Sequence, residues 1–170
     1  MDTPDIASVN AASREDFVRL LEGIFEHSRW VAERAADQRP FRDVDALHGA
    51  MASVVERATR DEQLALLRAH PELAGREAQA GEMTQSSMSE QASAGLHSLS
   101  SEELARMTRL NAEYRRRFGF PFIIAVRNHT KASIFSEMER RVQNDPEAEI
   151  SENLRQVYAI TRMRLARTVI

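Results

Sequence analysis

Residues 100–126 read SSEELARMTRLNAEYRRRFGFPFIIAV, and they set the fold class. Ser100 and Glu103 have the spacing of a capping box, in which each side chain bonds the other residue's main-chain N–H at a helix start. Leu104, Met107, Leu110, Asn111, Tyr114 and Phe118 then recur at three- and four-residue steps, the period of one helix face. Gly119 ends the helix because glycine accepts the left-handed conformation of a C-terminal cap. The cations Arg115, Arg116 and Arg117 lie where helix carbonyls carry partial negative charge. Phe120 to Val126 is the one apolar run with β character. A solitary strand has nothing to pair with, so it reads as a buried extended connection.

Working outward, the helical period holds almost everywhere. Ser13 with Asp16 marks an N-cap ahead of Phe17, Leu20, Leu21, Ile24 and Phe25. Trp30, Val31 and Ala35 make a short piece closed by Arg39, Pro40 and Phe41. Val44, Leu47, Met51, Val54, Val55 and Ala58 form another stripe. A helix from Asp61 must stop near His70, because Pro71 confines the residue before it to extended conformations. Residues 75–86 are polar and read as a loop around Gly81. Asp145 and Pro146 open the last helix, with proline at its first position. The expectation is one all-α domain over residues 1–170, a bundle of about seven to nine helices without a sheet.

Composition narrows the function classes. The 170-residue chain is 42% hydrophobic and 29% charged, with a formal net charge of -3. The signs are mixed, so no basic face of the kind that drives nucleic-acid binding stands out. Cysteine is absent, which excludes thiol nucleophiles, disulfides and thiolate-bound metals. His27, His48, His97 and His129 have no metal-ligand spacing, and His70 lacks a second histidine close by. No apolar run reaches membrane-spanning length, and the acidic start lacks the features of an export signal. A cytoplasmic protein is expected.

Four places carry side chains that could do chemistry. His70 can exchange a proton near neutral pH, beside a proline that stiffens its backbone, or it is a surface histidine at a helix boundary. Ser87 and Glu90 have cap spacing, or with Gln91 they present a hydroxyl, an acid and an amide to a cavity. Phe122, Ile123, Ile124 and Ala125 lie in irregular apolar backbone whose N–H and C=O groups must bond side chains, water or a small polar ligand. On the last helix, an advance of about 100° per residue puts Arg164 on the stripe of Ile150, Leu154, Val157, Thr161 and Leu165. An inward guanidinium must meet an anion, either an internal carboxylate or a substrate's.

Together these segments resemble the 2-oxo-4-hydroxy-4-carboxy-5-ureidoimidazoline (OHCU) decarboxylases. The matching text includes residues 25–33, the block Ala69-His70-Pro71-Glu72-Leu73-Ala74, the Ser-x-x-Glu-Gln-x-x-Ala-Gly-Leu pattern from Ser87 to Leu96, and Phe118 to Val126. The sequence departs at Asn128, where glycine is usual, and at Met83, where leucine is common. The resemblance implies an all-α, commonly homodimeric carboxy-lyase that needs no cofactor and no metal. Its small-molecule substrate would lose CO2 to give (S)-allantoin in urate degradation. His70 and Glu90 would be catalytic. Pro71, Ser87, Gln91, Phe122, Ile123, Ile124, Ala125 and Arg164 would bind substrate.

Overall fold

A computed structural model describes residues 2–170. Ten α-helices and three short 3-10 turns occur among the described residues, with no strand. The count slightly exceeds seven to nine because short polar helices escape a reading of apolar period. Internal packing divides the chain into two compact units, the residues up to Ala69 with Tyr158–Ile170, and His70–Val157.

The first unit holds α1 (Ile6–Ala11), α2 (Arg14–Leu21), α3 (Arg29–Ala35), α4 (Val44–Glu56) and α5 (Arg60–Arg68). Ser13 caps α2 by accepting the Asp16 N–H, as its spacing indicates. Asp43 does the same for α4, and Thr59 with Glu62 forms a complete capping box on α5. Each such cap contributes about 1 kcal/mol by satisfying an otherwise orphaned donor. The apolar faces of α2, α3 and α4 pack on one another, burying Phe17, Leu21, Val31, Leu47 and Met51. Both ends of the unit are tied, since Ile6 N–H donates to the Ile170 carbonyl and Ile170 N–H to that of Pro4.

The second unit holds α6 (Arg76–Ala80), α7 (Gln85–Ser93), α8 (Ser101–Phe118) and α9 (Lys131–Arg141). It also takes the first part of α10 (Pro146–Ala166), whose last turns count with the first unit. The Ser100–Glu103 capping box and the left-handed Gly119, at φ 80°, bound α8 where the sequence places them. Met107, Tyr114, Phe120, Phe122, Ile134 and Met138 fill the core. Residues 75–86, expected as loop, contain α6 and the first two residues of α7. Both are too polar to show an apolar stripe. Among the described residues no helix is long and apolar enough to cross a membrane.

Candidate functional site

Helix α5 ends at Arg68 with Ala69 as its C-cap, and His70 follows in the second unit, only 7% exposed. Pro71 forbids the helix from continuing. Behind His70 the chain makes a tight turn. Ala74 takes a left-handed φ of 48°, which costs a residue with a Cβ about 1 kcal/mol. Gly75 donates its N–H to the Glu72 carbonyl at 3.3 Å. A Cβ on Gly75 would lie 2.7 Å from that of Glu72, so the turn closes around a glycine.

Four side chains hold this turn, among them Gln79, whose Nε2 donates to the Ala74 carbonyl at 3.2 Å. Gln91 accepts the Ala74 N–H at 2.8 Å and donates to the Glu72 carbonyl at 3.3 Å. Asn111 Nδ2 donates to the Leu73 carbonyl at 2.9 Å. Arg115 Nε bonds Glu72 Oε1 at 2.6 Å near the surface. Both ends of the Gln91 amide are thus engaged with main chain.

Gln91 lies on α7, which begins earlier than expected. Its cap is Thr84, whose hydroxyl accepts the Ser87 N–H at 3.2 Å. Ser87 therefore sits inside the first turn, buried, and the capping reading of Ser87 with Glu90 is replaced. Ser87 and Gln91, four residues apart, share the buried face, with the half-buried Glu90 beside them. This helix packs on the 3-10 turn Val126–Asn128, where Arg127 Nη2 donates to Ser89 Oγ at 2.7 Å.

The extended segment before that turn is secured by α9 and α10. Arg141, wholly buried, donates from Nη1 to the Ile123 carbonyl at 2.7 Å and from Nη2 to Asn153 Oδ1 at 2.6 Å. Asn153 Oδ1 accepts the Ile123 N–H at 3.1 Å, and its Nδ2 donates to the Pro121 carbonyl at 3.2 Å. Gln156 accepts the Ala125 N–H at 3.0 Å. Glu149, also buried, balances Arg141 at 3.0 Å and accepts the Tyr114 hydroxyl at 2.5 Å. Burial and the Glu149 hydrogen bond push the Tyr114 phenol up, so it stays a donor.

Of the four main-chain residues singled out, Ile123 and Ala125 therefore face protein partners. Phe122 and Ile124 have no main-chain hydrogen bond among the described residues. Successive groups along an extended chain point to opposite edges, so the second edge belongs to Phe122 and Ile124.

Within the second unit the structure thus links the turn behind His70, α7 with Ser87, Glu90 and Gln91, and the segment ending at Val126. Arg164 belongs to the first unit. There its Nη1 pairs with Glu26 Oε2 at 2.6 Å, and both side chains are buried. An internal ion pair, one of the two readings of its spacing, is what the structure displays. Among the described residues no three His, Asp or Glu side chains group as metal ligands.

Several partners were missed by the sequence reading. Asn111 stood in the α8 apolar stripe, and a polar residue on a core face is a signal. Arg141 went unseen because α9 was not recognised. Its buried positions Ile134, Phe135, Met138 and Arg141 keep helical spacing and could have revealed it.

The described residues thus form an all-α protein with a buried histidine next to an amide-held turn. Comparison with known proteins shows its family. The OHCU decarboxylase family model matches residues 10–166. A 2-oxo-4-hydroxy-4-carboxy-5-ureidoimidazoline decarboxylase of Haloferax volcanii is 47% identical over 161 residues, covering 95% of this chain and 94% of that protein. A protein of the same name from Mus musculus is 38% identical, covering 95% of this chain and 90% of its own. A crystal structure of (S)-allantoin synthase superposes with a TM-score of 0.79 at 32% identity, over 97% of this chain and 54% of that one. The chain belongs to the OHCU decarboxylase family.

Proposed function

We propose that this protein decarboxylates 2-oxo-4-hydroxy-4-carboxy-5-ureidoimidazoline to (S)-allantoin and CO2 in urate degradation, without a cofactor. The observation that carries the proposal is sequence identity to a curated decarboxylase along nearly the whole of both chains. The substrate holds a carboxylate and a hydroxyl on one ring carbon, next to a C=N bond. When the C–CO2 bond breaks, its electron pair forms a ring C=C bond and the imine pair moves to nitrogen, which takes up a proton from solvent. The hydroxyl then loses its proton to become the carbonyl, and the ureido-bearing carbon takes a proton. The substrate is its own electron sink, so the protein's task is proton transfer and orientation.

His70 is the proton-transfer group in this reading. Glu90 tunes it, with Pro71 stiffening its backbone, and Ser87 and Gln91 orient the ring and ureido group. The grip of Gln91 on the turn behind His70 supports a second, structural duty for that amide. Main chain at residues 122–125 reads the amide-like ring edges, chiefly through Phe122 and Ile124, since Ile123 and Ala125 are engaged. Arg164 holds the substrate's carboxylate, its guanidinium plane set by Glu26. The proposal takes residues 1–170 as one domain, supported by a family match running through both units. It also has the enzyme working in the cytoplasm, as its composition leads one to expect, and as the homodimer that the resemblance implies.

Circular dichroism of the product tests this. The protein should yield (S)-allantoin, and racemic product from folded protein would sink the proposal. His70→Ala should slow turnover by ~10²–10⁴-fold while far-UV dichroism stays unchanged. Near-normal turnover would remove His70 from the mechanism.

A further inference from the structure

We infer that Asn111 is a positioning residue for His70, acting through the Leu73 carbonyl. This rests on the reading of His70 as the proton-transfer group. Asn111 is 4% exposed, and its amide divides sharply. Nδ2 donates to the Leu73 carbonyl at 2.9 Å, whereas Oδ1 is buried with no hydrogen-bond partner among the described residues. A buried acceptor left unsatisfied opposes folding. A leucine of similar volume would fill the same place on the α8 apolar face without that cost. What asparagine supplies and leucine does not is one donor aimed at the turn three residues beyond His70.

Leu73 and Ala74 are buried, but clefts adjoin the turn they form. On one side lies a cleft of about 500 Å³ whose lining includes Glu72, Gly75, Thr108 and Asn111. Another of about 400 Å³ is lined in part by Ala74 and Gln91. Ala74 is meanwhile kept left-handed against its preference. A turn with space beside it and strain within it depends on its hydrogen bonds as well as on the burial of Leu73 and Ala74, and Asn111 supplies the bond at its centre. A shift of about 1 Å in a reacting group can cost ~10²-fold in rate, so the position of His70 is sensitive to this bond.

The test is Asn111→Leu beside Asn111→Asp, with the unaltered enzyme in the same dichroism assay. Asn111→Leu should melt within a few degrees of the unaltered protein. Its kcat should fall roughly 10–100-fold with KM changed less than about threefold, and its product should lose part of its (S) excess. Wild-type kcat and pure (S) product from folded Asn111→Leu would overturn the inference, as would a rise in KM alone. Asn111→Asp keeps the shape but, ionised, has no donor. Protonated, it can donate to the Leu73 carbonyl again. Its kcat deficit should therefore shrink as pH falls, and this profile decides the matter if Asn111→Leu does not fold. A deficit independent of pH would count against positioning. Racemic product from the unaltered enzyme would sink the decarboxylase reading instead. The His70 ring signals, followed by NMR without substrate, would then still judge the inference: displaced in the variants they support it, unmoved they refute it.

Discussion

Two turns, one in each unit, contain the non-glycine residues with positive φ among the described residues: His27 and Ala74, both at 48°. Each lies close to a residue that the proposed chemistry uses, but they are held by different means. The His27 turn sets Glu26, whose buried carboxylate pairs with Arg164, while Ser28 N–H bonds the Phe25 carbonyl and Ser28 Oγ that of Glu26. The Ala74 turn is held chiefly by the neutral amides of Gln79, Gln91 and Asn111, with a single half-exposed ion pair from Arg115 to Glu72. A buried ion pair couples a turn strongly to global stability, because removing one partner strands a charge. Neutral amides cost less when lost and fix direction as well as distance. The comparison therefore predicts stability effects at the first turn and catalytic effects at the second.

The largest effect should come from breaking the charged hold. Glu26→Ala leaves the Arg164 guanidinium buried without its carboxylate, and urea unfolding should show a loss of about 3–5 kcal/mol. The double variant Glu26→Leu with Arg164→Met removes both charges and should recover most of that loss. If Arg164 also grips substrate, the recovered protein will fold yet turn over poorly. A stable, fully active double variant would confine the pair to structure.

A smaller effect should follow from acidification of the first unit. His48 Nε2 lies 2.9 Å from Thr161 Oγ1, three residues before Arg164 on α10. Burial first, then the nearby Arg162 cation, holds the His48 imidazole below its usual value of 6.5. Between its folded value and 6.5 the unfolded chain binds more protons, so stability falls as pH drops through that window. The contribution is complete above 6.5. Urea midpoints should decline from about pH 7.5 to 5.5, and His48→Gln should flatten the decline. An unchanged slope would exclude His48. Glu62 titrates elsewhere: the Arg34 hydrogen bond holds its carboxyl near about 2, so its contribution is lost only from 4.5 downward.

Much of this was legible in the sequence because it depends on local rules. The caps at Ser13 and Ser100, the stop at Gly119 and the proline start of α10 are settled by neighbours within one helical turn. Arg164 on its apolar stripe was legible for the same reason, since a helix period places it. Partners were not. Glu26 lies 138 residues from Arg164, and Asn111 lies 38 from Leu73, distances that no period spans. The polar helices α6 and α7 were blurred for a different reason. Thr84 caps α7 with a side chain that looks like loop composition, so Ser87 was credited with the cap. Backbone edges were half legible: irregular buried chain must find partners, but which residues find protein ones required Asn153, Arg141 and Gln156 to be in place.

The smallest predicted effect is the cleanest comparison of the turns, because the same replacement enters both. Glycine relieves left-handed strain of about 1–2 kcal/mol and returns about 0.5–1 kcal/mol through the freer unfolded chain. His27 is exposed, its Nε2 a loose 3.7 Å from Glu26 Oε1, so His27→Gly removes little else. A gain of about 0.5 kcal/mol is expected in urea unfolding, with turnover unchanged. Ala74→Gly should change stability by a similarly small amount, yet the turn behind His70 would gain freedom that its side-chain bonds from Gln79, Gln91, Asn111 and Arg115 must then restrain. Turnover should then fall severalfold at constant KM. Equal kinetic responses from the two variants would show that the amide-held turn has no closer tie to proton transfer than the charged one.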